Sequence, residues 1–334
     1  MPVRMKDIAH DLGLSIVTVS KVLRDHPDIS AETREKVLKR MKEVNYRPNL
    51  AARALVTGRT FSVGLVVPDL VHPFFGEMAK GMSRVLRKKG YNLIISSSEE
   101  DPRLEQQEVD QLLARRVDAL IIASAQTSGE MFQRIEDQGT PYVLVDRKFA
   151  GLSANFVGVD DFAAGKIATE HLIGIRRRRI AHIAGPAVST ATGRLDGYRR
   201  ALAAHQIALN PDYLIVRQYG DEASDQTGYE AMRALLALSP RPDGVFCYND
   251  PTAMGAMEAV LERGLRIPQD IAIVGCGNVR YAGFLRVPLT SVDQQSEQIG
   301  DRSAKLVLAQ IEAKGSARPK TILLDPNLIV RQSA

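Results

Sequence analysis

Tryptophan is absent from the 334 residues, and cysteine occurs only twice, at Cys247 and Cys276. Both cysteines sit inside apolar runs and read as buried free thiols rather than as a metal-ligand pair or a disulfide. No apolar run reaches the roughly 18 residues of a membrane-spanning helix, and no membrane partner is expected. The opening M-P-V-R-M-K-D-I-A-H-D carries acids and lacks the apolar h-region of a secretion leader, so a cytoplasmic location is expected. The six histidines are scattered, without metal-ligand spacing, and no nucleophile–base set stands out. No G-x-G-x-x-G follows the first strand-like run, which argues against a nucleotide-dependent enzyme. No metal, cofactor or catalytic residue is expected.

What is present is charge in one place. The first 60 residues carry 12 Lys and Arg against 7 Asp and Glu, whereas the remaining 274 carry 32 of each. The whole net charge of +5 belongs to the head. A small basic head on a neutral body points to a polyanion as the partner of the head alone.

Apolar spacing turns that head into helices. Met5, Ile8, Ala9 and Leu12 follow the i, i+3, i+4, i+7 pattern of one helical face. Gly13 permits a tight turn, Leu14 plugs the core, and Ser15 is placed to cap a second helix. On that helix Val19, Val22 and Leu23 form the buried stripe, with Ile16 at its edge. Val17, Ser20, Lys21 and Arg24 point the other way. A third helix opens at Ser30 with Val37, Leu38, Met41 and Val44 apolar. This is a helix-turn-helix unit. In a major groove, Val17 would meet a thymine methyl and Lys21 would donate to guanine. After it, Pro48 stops the third helix, Asn49 can cap a short new one and Gly58 can end it. That segment is about two turns long, too short to persist alone in water.

M-K-D-I-A-H-D-L-G-L-S-I-V-T-V-S-K-V-L, the opening S-A-E-T-R-E-K-V and N-Y-R-P-N-L-A-A-R-A-L together resemble the LacI/GalR family of transcriptional repressors over nearly the whole chain. The resemblance implies a hinge helix from Asn49 to Val56, with Leu55 as a lever in the minor groove at the operator centre and Ala52 beside it. The family's recognition positions fall on Ile16, Val17 and Lys21. Further DNA contacts are expected from Met5, Lys6, Ser15, Thr18, Ser20 and Arg24. Ser30, Thr33, Tyr46 and Asn49 complete the set. The implied partner is a palindromic double-stranded DNA operator, bound by a homodimer on the nucleoid.

From Phe61 the pattern changes to apolar, β-branched runs such as F-S-V-G-L-V-V, D-A-L-I-I-A and I-A-I-V-G-C, separated by amphipathic helical segments. This implies parallel sheets covered on both faces, so the fold class is α/β. Ligands of such sheets sit beyond the strand C-termini, which places P-D, V-D, N-D and G-C-G-N around one cleft. By resemblance, this body is periplasmic-binding-protein-like, with two doubly wound parallel-sheet lobes. The expected divisions are residues 1–48 for the DNA-binding head, 49–60 for the hinge and linker, and 61–334 for effector binding and dimerisation. Lobe 1 would take about 61–160 and 290–319, and lobe 2 about 161–289 and 320–334. No heptad leucine tail follows, and no appended coiled coil is expected.

The candidate effector contacts are His72, Phe74, Phe75, Asp146, Arg147, Arg194, Asn249 and Gln294. Phe74 and Phe75 offer ring faces to a sugar, and Asp146 offers an acceptor for hydroxyls. Arg194 lies in the loop S-T-A-T-G-R, and Asn249 and Gln294 supply neutral bidentate groups. Many relatives carry G-[YF]-D after the strand at 271–274, and that Asp grips sugar hydroxyls. Here Gly277 stands in its place, with Asn278 as a stand-in, and an aromatic wall position falls on Glu222. The altered pocket is expected to favour acidic ligands over neutral hexoses. The four arginines at 176–179 read as a solvated turn. The implied effector is a sugar or sugar derivative, and the implied function is effector-controlled repression. On the residues alone, a cytoplasmic sugar-binding protein or a doubly wound enzyme stays open.

Overall fold

The computed structural model describes all residues except 1–2, 24–25, 47–53, 55–56, 127, 150, 217–223 and 314–317. The chain separates between Thr60 and Phe61 into two units.

The first unit holds α1 (Met5–Asp11), α2 (Ile16–Leu23) and α3 (Ala31–Glu43). Each boundary has a local cause. Gly13 takes φ of 63°, which lets the Gly13 N–H reach His10 O at 3.2 Å and the Leu14 N–H reach Ala9 O at 2.9 Å. These bonds satisfy the last carbonyls of α1 and turn the chain sharply. Ser15 Oγ accepts from the Thr18 N–H at 3.0 Å and Ser30 Oγ from the Thr33 N–H at 3.2 Å, so both serines cap the helices that follow. Ile8, Ala9, Val19, Val22, Val37 and Met41 form the core. Arg40 binds Asp11 through Nε at 3.0 Å and Nη2 at 2.5 Å, tying α3 to α1. Leu38, expected in the apolar stripe, is 51% exposed. It follows Val37 by one residue and so points about 100° away from the face that Val37 and Met41 share.

The second unit has two lobes. The first begins with β1 (Ser62–Val67), α4 (Pro73–Lys88), β2 (Asn92–Ser97), α5 (Pro102–Ala114), β3 (Ala119–Ile122), α6 (Glu130–Asp137), β4 (Tyr142–Val145) and β5 (Asn155–Val159). The second continues with α7 (Asp161–Gly174), β6 (Ile180–Ala184), α8 (Ser189–Ala204), β7 (Leu214–Val216), α9 (Ser224–Leu236), β8 (Gly244–Cys247), α10 (Asp250–Glu262), β9 (Ala272–Cys276) and β10 (Thr290–Asp293). Then α11 (Ser296–Glu312) and β11 (Thr321–Leu324) return to the first lobe, and β12 (Asn327–Ile329) ends in the second.

The sheets run β11-β5-β4-β3-β1-β2 and β12-β10-β9-β8-β6-β7. Every pairing is parallel except that of β12 with β10. Two of the expected lobe crossings therefore move. The crossing near 290 falls after Asp293, because β10 pairs with β9, and the one near 320 falls after Leu324, because β11 pairs with β5. Alternate residues of each strand feed separate cores. Val63, Leu65 and Val67 of β1 pack with α4 and α11, whereas Val66 packs with Val109 and Leu112 of α5. Both faces of each sheet are thus covered, which is why the strands read as unbroken apolar runs.

Candidate functional site

In the head, the outward-facing residues of α2 include two large apolar side chains, Ile16 at 52% and Val17 at 62% exposure. Ile16, expected at the edge of the core, lies outside it. Lys21 Nζ pairs with Asp28 at 3.2 Å. The hydroxyls of Ser15, Thr18, Ser30 and Thr33 are engaged in cap pairs, Ser15 with Thr18 and Ser30 with Thr33, each at 2.9 Å. Lys6 is exposed, Ser20 is half-buried, and Met5 and Tyr46 pack against the core. Arg24, Asn49, Ala52 and Leu55 lie outside the described residues, as does Glu222.

In the body, the C-terminal ends of the two sheets supply the other group. Asp146 follows β4 with φ of 61°, and the Arg147 N–H reaches back to Val145 O at 2.5 Å. This is a γ-turn of the strained hand, worth about 1–3 kcal/mol, held at a strand end that faces the ligand side of such sheets. The Asp146 side chain is only 10% exposed, and its nearest charged partner is Arg147 Nε at 3.8 Å, beyond hydrogen-bond reach. Burial pushes the Asp146 carboxyl up, while Arg147 and Arg194 pull it down.

Both arginines are already occupied. Arg147 donates Nη1 to Glu100 Oε2 at 2.8 Å and Nη2 to Glu100 Oε1 at 2.7 Å, a bidentate fork, and Nη1 also approaches Ser124 O at 3.3 Å. Its Nε is buried without a hydrogen-bond partner. Arg194 of α8 donates Nε to Asp161 at 2.9 Å and Nη1 to Tyr248 O at 2.7 Å, and its guanidinium lies 4.8 Å from the centre of the Tyr248 ring. Burial pushes Asp161 up to about 7 against the pull of Arg194. The Tyr248 hydroxyl meets Thr190 Oγ1 at 2.9 Å.

Asn249 caps α10, its Oδ1 accepting the Thr252 N–H at 2.9 Å. Its Nδ2 lies 3.2 Å from Nε2 of His72, which caps α4 in the other lobe. A second bridge joins the lobes where the Lys148 N–H donates to Ser189 Oγ at 3.0 Å. Gln294, 4% exposed, sits at the crossing after β10.

Other expectations fall elsewhere. Phe74 and Phe75 belong to the first-lobe core, 3% and 6% exposed and edge-on to each other at 5.1 Å. At the start of α4 both rings face the apolar layer, so packing claims them. Asn278 is turned away as a stand-in, its Oδ1 accepting from Arg331 Nη2 at 2.6 Å. Beside Gly277 the carboxylate present is Asp250, which accepts from Ser291 Oγ at 2.5 Å and the Val279 N–H at 2.8 Å. Burial raises Asp250 to about 6. The arginine run is a turn pinned to its neighbours: Arg177 donates to Pro268 O at 2.5 Å and Arg179 to Arg241 O at 2.7 Å. Among the described residues no cluster of His, Cys, Asp and Glu is suited to a metal ion, and no helix is long and apolar enough to cross a membrane. The sequence reading missed Glu100, Asp161 and Tyr248. Only Tyr248 had a signal, as the aromatic opening Y-N-D at the end of β8.

Comparison with known proteins matches the head and the body separately. Residues 4–49 fit the model of bacterial regulatory proteins of the lacI family, and residues 60–331 fit periplasmic binding proteins and the sugar-binding domain of the LacI family. The ribose operon repressor of Haemophilus influenzae is 33% identical over 330 residues, covering 98% of each chain. The HTH-type transcriptional repressor PurR of Histophilus somni is 31% identical over 333 residues, again 98% of each. Among solved structures, the lac repressor dimer bound to operator and the anti-inducer ONPF aligns with a TM-score of 0.87 at 26% identity, over 100% of this chain and 99% of that one. A CelR–cellobiose complex aligns at 0.75 and 29% identity, over 99% and 100%. With both parts matched in the same order and along nearly their full length, this protein belongs to the LacI family of bacterial regulatory proteins.

Proposed function

We propose that the protein is a sequence-specific DNA-binding repressor, acting as a homodimer on a palindromic operator and controlled by a sugar or sugar derivative held between the two lobes. The observation that carries the reading is the exposed Ile16–Val17 pair at the start of α2, on the one unit that holds the chain's excess positive charge. An apolar pair at 52% and 62% exposure gains a partner in a major groove, where thymine methyls line the floor. The basic surface supplies the phosphate contacts that hold the helix in register. Two heads read the two half-sites, and the hinge segment from Asn49 to Val56 inserts Leu55 at the centre.

The effector acts by binding the open and closed arrangements of the lobes unequally, which shifts the equilibrium of the hinge and so the DNA affinity. The strained Asp146, whose charged partner Arg147 Nε stays at 3.8 Å, is the anchor for its hydroxyls, with Arg147, Arg194, Asn249, Gln294 and His72 around it. Such a protein works in the cytoplasm, on the nucleoid.

Selection of binding sites from random duplex DNA with purified protein at near-physiological salt tests this reading. The expected product is a palindrome with a deformable pyrimidine–purine centre. Enrichment of single half-sites, or of no sequence even with cell extract supplying small molecules, refutes it.

A further inference from the structure

The effector cleft holds two guanidiniums and three carboxylates, and their pairing decides what charge a ligand meets. Arg147 is saturated on its Nη side by Glu100, and Arg194 is held by Asp161 and Tyr248 O. Among the described residues the Asp146 carboxyl has its charged partner, Arg147 Nε, at 3.8 Å, beyond hydrogen-bond reach. The fully buried Asp250 adds a further acid beside the strand ends. The neighbouring Lys148 turns its ammonium toward the Phe156 ring, 6.0 Å from the ring centre. A pocket that looks cationic from its arginines is therefore acceptor-rich, with four carboxyl groups to two guanidiniums.

The Glu100–Arg147 pair is built at a cost. Glu99 and Glu100 both take left-handed backbone, with φ of 48° and 58°, at the end of β2. Two such non-glycine residues in succession disfavour the loop unless something holds it. The Glu100 N–H donates to Pro68 O at 3.0 Å, and the carboxylate forks onto Arg147, itself 5% exposed.

The geometry points to Glu100 as a specificity-determining residue: by neutralising Arg147 it makes the cleft reject anionic effectors and accept neutral polyols that donate hydroxyls to Asp146. This rests on the cleft being the effector site, and it reverses the expectation of acidic ligands drawn from Gly277 and Glu222. A phosphate or carboxylate placed here would find no unpaired guanidinium and would face Asp146 at close range. A neutral vicinal diol would satisfy the Asp146 acceptor with its hydroxyl donors.

The test compares full-length wild type with Glu100→Gln by titration calorimetry. The probes are matched sets: D-ribose with ribose 5-phosphate, and D-glucose with glucose 6-phosphate and glucuronate. In wild type a neutral member binds and its anionic counterparts bind at least tenfold more weakly. Glu100→Gln frees the Arg147 charge and raises anionic affinity roughly ten- to a hundredfold, the scale of one opposite charge within about 4–6 Å. The double variant Glu100→Gln/Arg147→Gln loses that gain, which separates the freed charge from a general loosening of the loop. Tighter binding of an anionic member by wild type overturns the inference, as does an anionic affinity in Glu100→Gln within twofold of wild type. If no member binds any of the three proteins, the reading of the cleft as a sugar site fails, and this inference fails with it. A neutral hit that Glu100→Gln leaves without anion binding removes the Glu100 role alone.

Discussion

Placing a single methyl group at Gly165 should disturb both the stability of the second lobe and the cleft. Gly165 lies in α7 where it crosses α8. A Cβ there would sit 2.0 Å from Arg194 O, 2.7 Å from Arg194 C and 2.8 Å from its Cα. All three are backbone atoms, so no rotamer relieves the clash. Ordinary contact lies near 3.5 Å, so the helices must part by about 1–1.5 Å. Gly197 makes the reciprocal approach, its missing Cβ 2.1 Å from Phe162 O. The bond from Arg194 Nε to Asp161 spans this same helix pair at 2.9 Å and is stretched directly. Overpacking costs about 1–3 kcal/mol, and weakening a hydrogen bond between charged groups adds about 1.5–3. The better helix propensity of Ala returns about 1. Gly165→Ala should therefore destabilise by about 1.5–5 kcal/mol and weaken effector binding about tenfold. Urea unfolding followed by far-UV circular dichroism at fixed protomer concentration reads the first, and calorimetry the second. The same change at Gly76, an exposed position of α4 with no atom within 4 Å, should be neutral or raise stability by up to about 1 kcal/mol. A Gly165→Ala protein that unfolds at or above the wild-type urea midpoint would sink the reasoning.

Two further outcomes are expected. His182 is fully buried, stacked 4.6 Å from Phe246, with Nδ1 2.9 Å from Phe246 O and Nε2 unpartnered, and burial pushes its pKa from 6.5 down to about 4. The unfolded chain takes up this proton below about pH 6.5 and the native state only near 4, so this stability is intact above 6.5 and lost as pH falls toward 4. His182→Phe should therefore gain about 2 kcal/mol relative to wild type between pH 7.5 and 5; a difference constant with pH would refute the buried neutral imidazole. In the head, replacing the thymine under Val17 by uracil should weaken wild-type binding about fourfold, the worth of one methyl at about 0.8 kcal/mol, and Val17→Ser should be indifferent to the exchange. Equal losses in both proteins would place Val17 away from that methyl.

Local chemistry in the chain is legible from its order. Ser15, Ser30 and Gly13 cap or stop helices because their effects reach only a few residues, and the strands announce themselves because both sheet faces are covered. What depends on a distant partner is not legible. The strand Thr290–Asp293 carries no mark of which sheet it joins, and its neighbour β9 decides. Leu38 and Val37 are equally apolar, and only the angle to α1 and α2 buries one of them. Phe74 and Phe75 suit either a sugar or a core, and the layer beneath α4 takes them.

The cleft is the sharpest case. Arg147 and Arg194 stand in the sequence as two positive charges near one acid, and nothing beside them in the chain names the carboxylates that hold them. Their partners stand 47 and 33 residues away, on a strained loop and on the first turn of a neighbouring helix. Once both guanidiniums are paired, neither is left free for a ligand's charge, without a change in composition. The Arg194 pair in turn exists only because Gly165 and Gly197 let α7 and α8 approach backbone to backbone. Apolar periodicity cannot separate such a glycine from Gly76, since neither has a side chain to classify. Ligand charge preference and helix packing are therefore coupled at one crossing, and a substitution that opens it should release Arg194 and lower the stability of the lobe together.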